Sequence, residues 1–357
     1  MGFWHNQLSG PTNPTRDAAW EDHPKRKGFF TDTSICIGCK ACEVACKEWN
    51  RVPTRTAKEG QGHGGVKALT GNSYDNSSAL GADTWRHVAF IEQGPEQLAR
   101  ARQSGAVNLG MPSVRSETAG SNGSAGSNGS AGLSGGGVAT ATATDDLPHV
   151  RWLMSSDVCK HCTHAGCLDV CPTGALFRTE YGSVVVQADV CNGCGYCVSA
   201  CPFGVIERRS NGLVELADGS KAKPVNAGNA QKCTLCYDRI SHGEVPACAQ
   251  TCPTTSIKFG DHDEMVRLAR ERLAQLHSQG QTEARLYGAN PNDGVGGTGS
   301  VFLLMDEPEA YGLPPDPIVP TAKVGRMFTM AGLAGTALMG VVVTVFAGHG
   351  IFGRRSS

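Results

Sequence analysis

CKHCTHAGCLDVCPTGALFRTEYGSVVVQADVCNGCGYCVSACP, residues 159–202, contains two runs of four cysteines joined by a short segment. The second run has the spacing C-x2-C-x2-C-x3-C, and a proline follows the last cysteine of both runs. This spacing is typical of a loop that places three thiolates around one cubane iron-sulfur cluster, while the fourth reaches a neighbouring cluster. The stretch therefore predicts a domain that binds clusters in pairs.

All sixteen cysteines of the chain belong to runs of this kind. Run 1 is Cys36, Cys39, Cys42 and Cys46; run 2 is Cys159, Cys162, Cys167 and Cys171; run 3 is Cys191, Cys194, Cys197 and Cys201; run 4 is Cys233, Cys236, Cys248 and Cys252. Runs 2 and 3 lie close together in sequence, as in a two-cluster ferredoxin, so we expect them to exchange their fourth cysteines. By elimination, runs 1 and 4 form the other pair.

The exchange defines four predicted sites, each with four thiolate ligands for one 4Fe-4S cluster. Site 1 is Cys36, Cys39, Cys42 and Cys252; site 2 is Cys159, Cys162, Cys167 and Cys201; site 3 is Cys191, Cys194, Cys197 and Cys171; site 4 is Cys233, Cys236, Cys248 and Cys46. One ferredoxin-like unit is then inserted within another. The predicted cofactors are four 4Fe-4S clusters, whose iron is bound by these sixteen cysteines.

Other uses of cysteine fit the pattern less well. Structural zinc sites commonly use two separated C-x2-C pairs, and only run 4, with its long gap before Cys248, would pass alone as such a site. A disulfide framework would spread cysteines through a small secreted domain rather than group them in a long chain. A Rieske centre needs histidines in place of two cysteines. Run 2 keeps all its cysteines, so His161 and His164 are predicted to lie around the ligands or at the surface.

Basic side chains stand directly beside several predicted ligands, and they are Lys40, Lys47, Lys160 and Lys232. A positive charge near a cluster raises its reduction potential, because it stabilises the more negative reduced form. A solvated lysine is an equally good interpretation at each of these positions.

Composition limits the class of protein. The chain has 357 residues and a formal net charge of −1, so it lacks the basic excess suited to nucleic acid. It contains 46 glycines and only 6% aromatic residues, which is consistent with an interior that is partly inorganic. The sequence shows no nucleophile and base that would form a catalytic site. These features predict an electron carrier rather than an enzyme.

Short regular elements are expected around the cysteine runs. Residues 183–186 and 256–260 each predict a short strand next to a turn. The following stretch has apolar residues at helical intervals, which are Val266, Ala269, Leu273 and Leu276. Asp261 or Asp263 is expected to cap this helix, and Gly280 to end it. Residues 281–320 are expected to be irregular.

Two segments are expected to lie outside the cluster-binding core. Residues 1–27 are polar and punctuated by proline, and they lack the apolar region of a secretory signal. Residues 116–145 consist largely of small and polar residues, with the hexamer SNGSAG repeated at 121–126 and 127–132. This composition is typical of a flexible linker or surface insertion.

Residues 327–352 contain no Lys, Arg, Asp or Glu. As a helix this segment would be about 39 Å long, enough to cross the roughly 30 Å apolar core of a bilayer. Basic residues flank both ends, so the positive-inside rule does not choose an orientation. The sequence predicts a single membrane-spanning helix, with a buried helix of a soluble protein as the alternative.

Four stretches carry a resemblance to a known family. They are Phe29 to Thr33 before run 1, Cys191 to Cys197, Lys232 to Arg239, and Gly294 to Thr298. The chain resembles the beta, iron-sulfur subunit of membrane-bound respiratory formate dehydrogenase over roughly residues 28–100 and 150–352. The cysteine pattern is also similar to the electron-transfer subunits of dimethyl sulfoxide, polysulfide and nitrate enzymes, which remain the alternative. Some relatives bind a 3Fe cluster because a cysteine is missing; this chain keeps all of them.

The resemblance implies a role within a complex. A molybdopterin-containing catalytic subunit would oxidise formate, this chain would carry the electrons, and a membrane cytochrome b subunit would pass them to quinone. The resemblance also implies a single-pass cell-membrane protein whose soluble part faces outward. The lack of a secretory signal fits export together with the catalytic subunit, and it fits a cytoplasmic location equally well.

The predicted fold class is α+β, with two ferredoxin-like two-cluster domains, one inserted in the other, and a C-terminal transmembrane helix. The predicted divisions are an N-terminal extension, 1–27; a split first domain, 28–100 and 225–262; a Gly/Ser-rich insertion or linker, 101–149; a second domain, 150–224; a helix and irregular packing segment, 263–325; and a transmembrane helix, 326–353.

Overall fold

A computed structural model describes residue 18 and residues 22–52, 74–106, 150–209, 214–215 and 221–352. Most of the predicted N-terminal extension and most of the predicted Gly/Ser-rich insertion lie outside these ranges. All sixteen cysteines lie within them. The described residues form both helices and strands, as the α+β prediction requires.

The largest sheet of the described residues has four strands, which are β1, Lys27–Asp32; β10, Ile257–Asp261; β11, Arg285–Tyr287; and β12, Ser300–Leu304. Their order in the sheet is β10-β1-β12-β11. β1 and β12 are parallel, whereas β10 and β11 pair antiparallel with their neighbours. Every residue of β12 is buried, which suits its continuous sequence SVFLL. The prediction that residues 281–320 are irregular is therefore wrong, because two strands of this sheet lie there.

The longest helix of the soluble part packs against this sheet. It is α7, His262–Ser278, and it buries Met265, Ala269 and Leu276 against a core that includes Phe30 of β1. The helix and its end near Gly280, where φ is +82°, are as predicted. Asp261 is at the N-cap position, but its side chain makes no cap hydrogen bond and instead accepts one from Lys27 Nζ at 2.6 Å.

A two-stranded antiparallel sheet leads directly into run 2. It consists of β2, Arg86–Gln93, and β3, Arg151–Val158, and Arg86 faces Val158 in the register. Because Cys159 follows β3 immediately, this register brings the start of β2 beside the second cysteine run. The helix α2, Pro95–Ala106, follows β2.

The cysteine runs themselves fold into short elements. The helices are α1, Ala41–Trp49; α3, Gly166–Asp169; α4, Tyr196–Ser199; α5, Tyr237–Ile240; and α6, Ala247–Gln250. The small sheets pair β4, Leu176–Arg178, with β5, Val184–Val186; β6, Glu207–Arg208, with β9, Ala230–Gln231; and β7, Val214–Glu215, with β8, Lys221–Ala222. Strands β5 and β10 confirm the two predicted near residues 183–186 and 256–260.

The last described element is the helix α8, Val324–Phe352. Single 3-10 turns occur before it at Thr33–Ile35, Pro308–Tyr311 and Pro320–Lys323. Within the described residues, one segment is long and apolar enough to cross a membrane, and it is Pro320–Phe346, with a mean hydropathy of 1.8. None of the residues in its most apolar 18-residue stretch is buried by the rest of the protein. Exposed apolar side chains along a helix of this length favour a membrane span over a buried soluble helix.

Candidate iron-sulfur cluster sites

The fold brings together cysteines that are distant in sequence. None of the sixteen cysteines forms a disulfide. Three cavities are each lined by four cysteines, and these sets are Cys36, Cys39, Cys42 and Cys252; Cys159, Cys162, Cys167 and Cys201; and Cys171, Cys191, Cys194 and Cys197. These sets coincide with sites 1, 2 and 3. In each of them, three thiols come from one run and the fourth comes from another.

The cysteines of site 4 are buried together in the interior. Burial raises the pKa of Cys46 well above its ordinary value, and the neighbouring thiols of Cys233, Cys248 and Cys236 add to the effect. Cys46 belongs to run 1, and the other three belong to run 4. The structure therefore places Cys46 beside cysteines of the distant run 4, as the predicted pairing requires. The binding of a cluster by each set stays a prediction.

The thiols surround cavities instead of meeting at a point. Within the part of the chain that the structure describes, no three His, Cys, Asp or Glu side chains converge closely enough to hold a single metal ion. A zinc ion needs four ligands at about 2.0–2.3 Å from one centre. A cubane cluster instead takes one thiolate at each of its iron corners. The observed arrangement suits the larger group.

Close backbone packing shapes the ligand loops. Gly193, between two ligands of site 3, has φ of +70°, which side-chain-bearing residues rarely adopt. A Cβ atom there would lie 2.5 Å from the carbonyl oxygen of Gly228. Glycine at this position thus allows the loop to turn tightly and to lie against the turn that contains Gly228.

The segment Gly294 to Thr298 supports run 2. The amides of Thr163 and His164 donate to the carbonyl oxygens of Gly297 and Val295 at 3.0 and 2.8 Å. Asp293 Oδ1 accepts hydrogen bonds from amides within the same loop at 2.8 and 3.0 Å and so holds its shape. These hydrogen bonds hold the loop of run 2 against the segment Gly294 to Thr298.

The cysteine side chains need a cation to become ligands. Burial raises the pKa of Cys42 to about 11, that of Cys167 to about 12 and that of Cys197 to about 11. Each would be a neutral thiol at neutral pH without a partner. Metal binding deprotonates a coordinating thiol and contributes to folding free energy, so the donor set fits iron-sulfur clusters.

Known proteins with this pattern are similar over most of the chain. A family model described as a 4Fe-4S dicluster domain matches residues 150–218 and 219–262. The nitrate-inducible formate dehydrogenase iron-sulfur subunit of Escherichia coli (strain K12) is 33% identical over 331 residues, which is 87% of this chain and 84% of that protein. The formate dehydrogenase iron-sulfur subunit of Haemophilus influenzae is 31% identical over 345 residues, 96% of this chain and 85% of that protein. The chain belongs to the family of formate dehydrogenase iron-sulfur subunits.

A third relative supports the same assignment. The formate dehydrogenase-O iron-sulfur subunit of Escherichia coli (strain K12) is 31% identical over 303 residues, 83% of this chain and 73% of that protein. These relatives are iron-sulfur subunits and not catalytic subunits, as the sequence predicted for this chain. They do not favour the alternative of a dimethyl sulfoxide, polysulfide or nitrate enzyme.

In this formate dehydrogenase iron-sulfur subunit, the lysines beside the ligands are held by the protein rather than solvated. Lys160 is buried, and its Nζ contacts the Asp157 carboxylate and donates to Val158 O at 3.0 Å. Buried Lys232 donates to the carbonyl oxygens of Cys233, at 3.0 Å, and Val184. Both lysines line the cavity of site 2.

The other two lysines also have fixed partners. Lys40 Nζ donates to Asn76 Oδ1 at 2.8 Å, and Lys47 Nζ donates to Thr84 Oγ1 at 3.0 Å. The solvated interpretation is therefore wrong for all four lysines of this subunit. Each is a cation held in place near a ligand run.

His161 and His164 have the supporting positions that the sequence predicted. His161 is buried and lines the cavity of site 2, where its Nδ1 accepts a hydrogen bond from the Val184 amide at 3.1 Å. The His164 ring lies against Gly296, where a Cβ atom would approach it to 2.2 Å. Neither histidine takes the place of a cysteine.

The four sites follow one another in a defined order. Cys248 of site 4 is close enough to Cys42 of site 1 to raise its pKa. In the same way, Cys159 of site 2 raises the pKa of Cys233 in site 4. The thiol of Cys197 in site 3 acts on Cys167 in site 2. These neighbours give the spatial order site 1, site 4, site 2, site 3.

Exposure agrees with this order. Cys39 of site 1 and Cys194 of site 3 are exposed, whereas all four cysteines of site 4 are buried. The two outer sites therefore reach the surface at opposite ends of the series, and site 4 lies inside it.

Proposed function

We propose that this chain is the electron-transfer subunit of a formate dehydrogenase and conducts electrons through four 4Fe-4S clusters. The observation that carries this proposal is the set of four cysteine groups, each assembled from two runs and each next to another group. Iron-sulfur clusters accept and release electrons without needing protons or substrates at the site. A chain that positions four of them in series needs no catalytic residues of its own.

The proposed ligands are the sixteen cysteines in the predicted combinations, which are Cys36, Cys39, Cys42 and Cys252; Cys159, Cys162, Cys167 and Cys201; Cys191, Cys194, Cys197 and Cys171; and Cys233, Cys236, Cys248 and Cys46. Their support is that the four sets line separate cavities or pack together in the interior. Raised pKa values of buried thiols are consistent with groups that become thiolates only when iron binds them.

Electrons enter and leave at the two exposed ends in this proposal. Cys39 has the exposed apolar neighbour Ile37, and Cys194 has the exposed aromatic neighbour Tyr196. Exposed apolar side chains beside a redox site are suited to a partner protein that must come close. One end would contact the molybdopterin-containing catalytic subunit, and the other would contact a membrane cytochrome b subunit.

The domain arrangement of the proposal is one ferredoxin-like unit inserted in another. Its support is that cysteines of sites 1 and 4 pack in one core with Phe29, whereas six of the eight cysteines of sites 2 and 3 pack in a second core with Leu176. Cys159 of site 2 packs against the first core, where the two units meet. The runs that contribute to the first core lie at both ends of the cysteine-containing sequence, and the second core lies between them.

The helix α8 anchors the subunit in the lipid bilayer in this proposal, with the soluble part on the outer face. The exposed apolar surface of α8 supports the anchor. Protease treatment of sealed right-side-out cells tests the side: cleavage of the soluble part is expected, and its full protection would contradict an outward location.

The decisive experiment uses the membrane complex, isolated without oxygen. We expect its electron paramagnetic resonance spectrum to gain cluster signals when formate is added. Acid-labile sulfide, which clusters contain and haem does not, is expected to correspond to at least four clusters for each copy of this chain. Signals that dithionite produces and formate does not would reject the formate-linked role. The absence of any cluster signal with both reductants would reject the electron-transfer role itself.

A further inference from the structure

Arg86 is buried close to cysteines of two of the proposed cluster sites. It is the first residue of β2, and only 1% of its surface is exposed. Arginine is almost never buried to this degree without a partner of opposite charge. No Asp or Glu within the described residues lies in ion-pair distance of Arg86, whereas Arg151, Arg209 and Arg272 all have such partners.

Ser156 connects Arg86 to site 1 through hydrogen bonds. Its Nη1 donates to Ser156 Oγ at 2.9 Å, and Ser156 Oγ lies 3.2 Å from Cys42 Sγ. The Phe29 ring covers the guanidinium, with the ring centre 4.9 Å from Cζ. Nε and Nη2 are buried and have no hydrogen-bond partner among the residues that the structure describes.

Site 4 is also a neighbour of the same guanidinium. Cys42 of site 1 and Cys46 of site 4 are one turn apart on α1, so one helix face serves both sites. Burial acts to lower the pKa of Arg86, but the negative charges of Cys248, Cys42 and Cys233 outweigh it and raise that pKa. Once iron binding has deprotonated them, cysteines of two sites would supply the charge that compensates Arg86.

Moving a guanidinium out of water is strongly unfavourable unless an anion and hydrogen-bond acceptors replace the lost hydration. A cluster with four thiolates is an anion, and its sulfur atoms accept hydrogen bonds. Sites 1 and 4 supply both of these needs at the position where Arg86 lies. The unpartnered Nε and Nη2 groups are the donors available to them.

We propose that Arg86 is a positioning residue shared by sites 1 and 4, a fixed cation that raises the reduction potentials of both clusters. The inference rests on the proposed function, because it requires that both sites hold clusters. A cation between two anionic centres favours the reduced, more negative form of each. Arg86 thus keeps the electron affinities of the two neighbouring sites high together.

The test is a redox titration of the intact complex, followed by electron paramagnetic resonance, for wild type and for Arg86→Gln and Arg86→Lys. In Arg86→Gln we expect two of the four midpoint potentials to shift to more negative values. In Arg86→Lys the charge remains, so the shift should be smaller. Arg209→Gln is the matched control, since Arg209 is also buried but pairs with Asp83 at 3.0 Å. We expect this variant to leave all four potentials unchanged.

Ser156→Ala provides a second test that keeps Arg86 in place. Loss of the hydroxyl beside Cys42 removes a hydrogen bond near site 1 only, so we expect one potential to fall and three to stay unchanged. If Arg86→Gln does not assemble, Arg86→Met takes its place, because it is also uncharged and buries no unpaired polar group; it is expected to shift the same two potentials.

Two outcomes contradict the inference. They are unchanged potentials in an Arg86→Gln complex that holds all four clusters and, where Arg86→Gln does not assemble, unchanged potentials in an Arg86→Met complex that holds them. Either result leaves the proposed function standing. A wild-type complex without cluster signals would instead reject the proposed function.

Discussion

The two halves of the cluster-binding region are built differently. The sheet-supported half, which contains sites 1 and 4, packs its thiols against large apolar side chains such as Phe29, Phe302 and Leu304. The cysteine-rich half, which contains sites 2 and 3, has a buried core of few residues, among them Ala165, Leu176 and Val184. Nine partly buried cysteine and apolar side chains pack around this core.

The difference concerns where stability comes from. The first half closes a long loop of chain, and its four-stranded sheet and helix α7 compensate the entropy of that closure. The second half is local in sequence and has only two- and three-residue strands. A region with so small an apolar core depends on its ligands for folding.

Removal of iron should produce the largest difference in stability between the two halves. After anaerobic chelation of the complex, we expect backbone amides of β4 and β5 to lose their protection from hydrogen exchange, because little apolar burial remains there. Amides of β12, all of whose residues are buried, should keep much of theirs. Hydrogen-exchange mass spectrometry measures both in one sample. Equal loss in β12 and β5 would contradict the distinction.

Loss of one exchanged ligand should have the next largest effect. Cys46→Ala is expected to remove the cluster signal of site 4 and to loosen the distant segment around Cys233 and Cys248, because these residues share that site. Cys171→Ala is the matched variant in the other half and should affect site 3. Iron analysis and electron paramagnetic resonance of the complexes measure the loss. Full iron content in Cys46→Ala would rule out the proposed pairing.

The sequence predicted the cysteine groups because ligand spacing is a local property. Cys252 and Cys42 could be assigned to one set without any knowledge of the intervening fold. Strand β12 was missed because its short apolar run stands among glycines and prolines, and only its parallel pairing with β1 makes it a strand. Apolar runs of this length do not distinguish a buried strand from other buried structure.

Arg86 could not have been selected from the sequence. An arginine at the start of an alternating segment is ordinarily exposed, and its neighbours contain no cysteine. Its position became visible only through the register of Arg86 with Val158 and the contact of Ser156 with Cys42. The fixed partners of Lys160 and Lys232 likewise depend on the fold, because the sequence alone does not distinguish a solvated lysine beside a ligand from a buried one.

Glycine substitutions measure how tightly the cysteine-rich half is packed. Gly193→Ala places a Cβ atom 2.5 Å from Gly228 O and also strains a residue with φ of +70°. Gly174→Ala is the control, because φ is +68° there and nothing lies within 4 Å of the added atom. The backbone strain costs about 1–2 kcal/mol in both variants. Only Gly193→Ala adds the clash with Gly228 O, so it should lower the thermal midpoint of the complex more than Gly174→Ala. Equal midpoints would mean that the loop moves freely away from Gly228.

The smallest expected effect concerns an ion pair at the edge of the sheet-supported half. Lys27 Nζ lies 2.6 Å from Asp261 Oδ1, and this hydrogen bond lowers the pKa of Asp261 from its ordinary 3.8. Because the folded pKa is the lower one, the stabilisation is present above the unfolded value and is lost as the pH falls through the folded value. The pair is largely accessible to water, so Asp261→Asn should cost less than about 1 kcal/mol at neutral pH and still less in high salt. Thermal midpoints of wild type and variant, compared at neutral pH in low and high salt, measure this cost; a loss as large as that of Gly193→Ala would mean that the sheet depends on its edge charges and not on the buried strands β1 and β12.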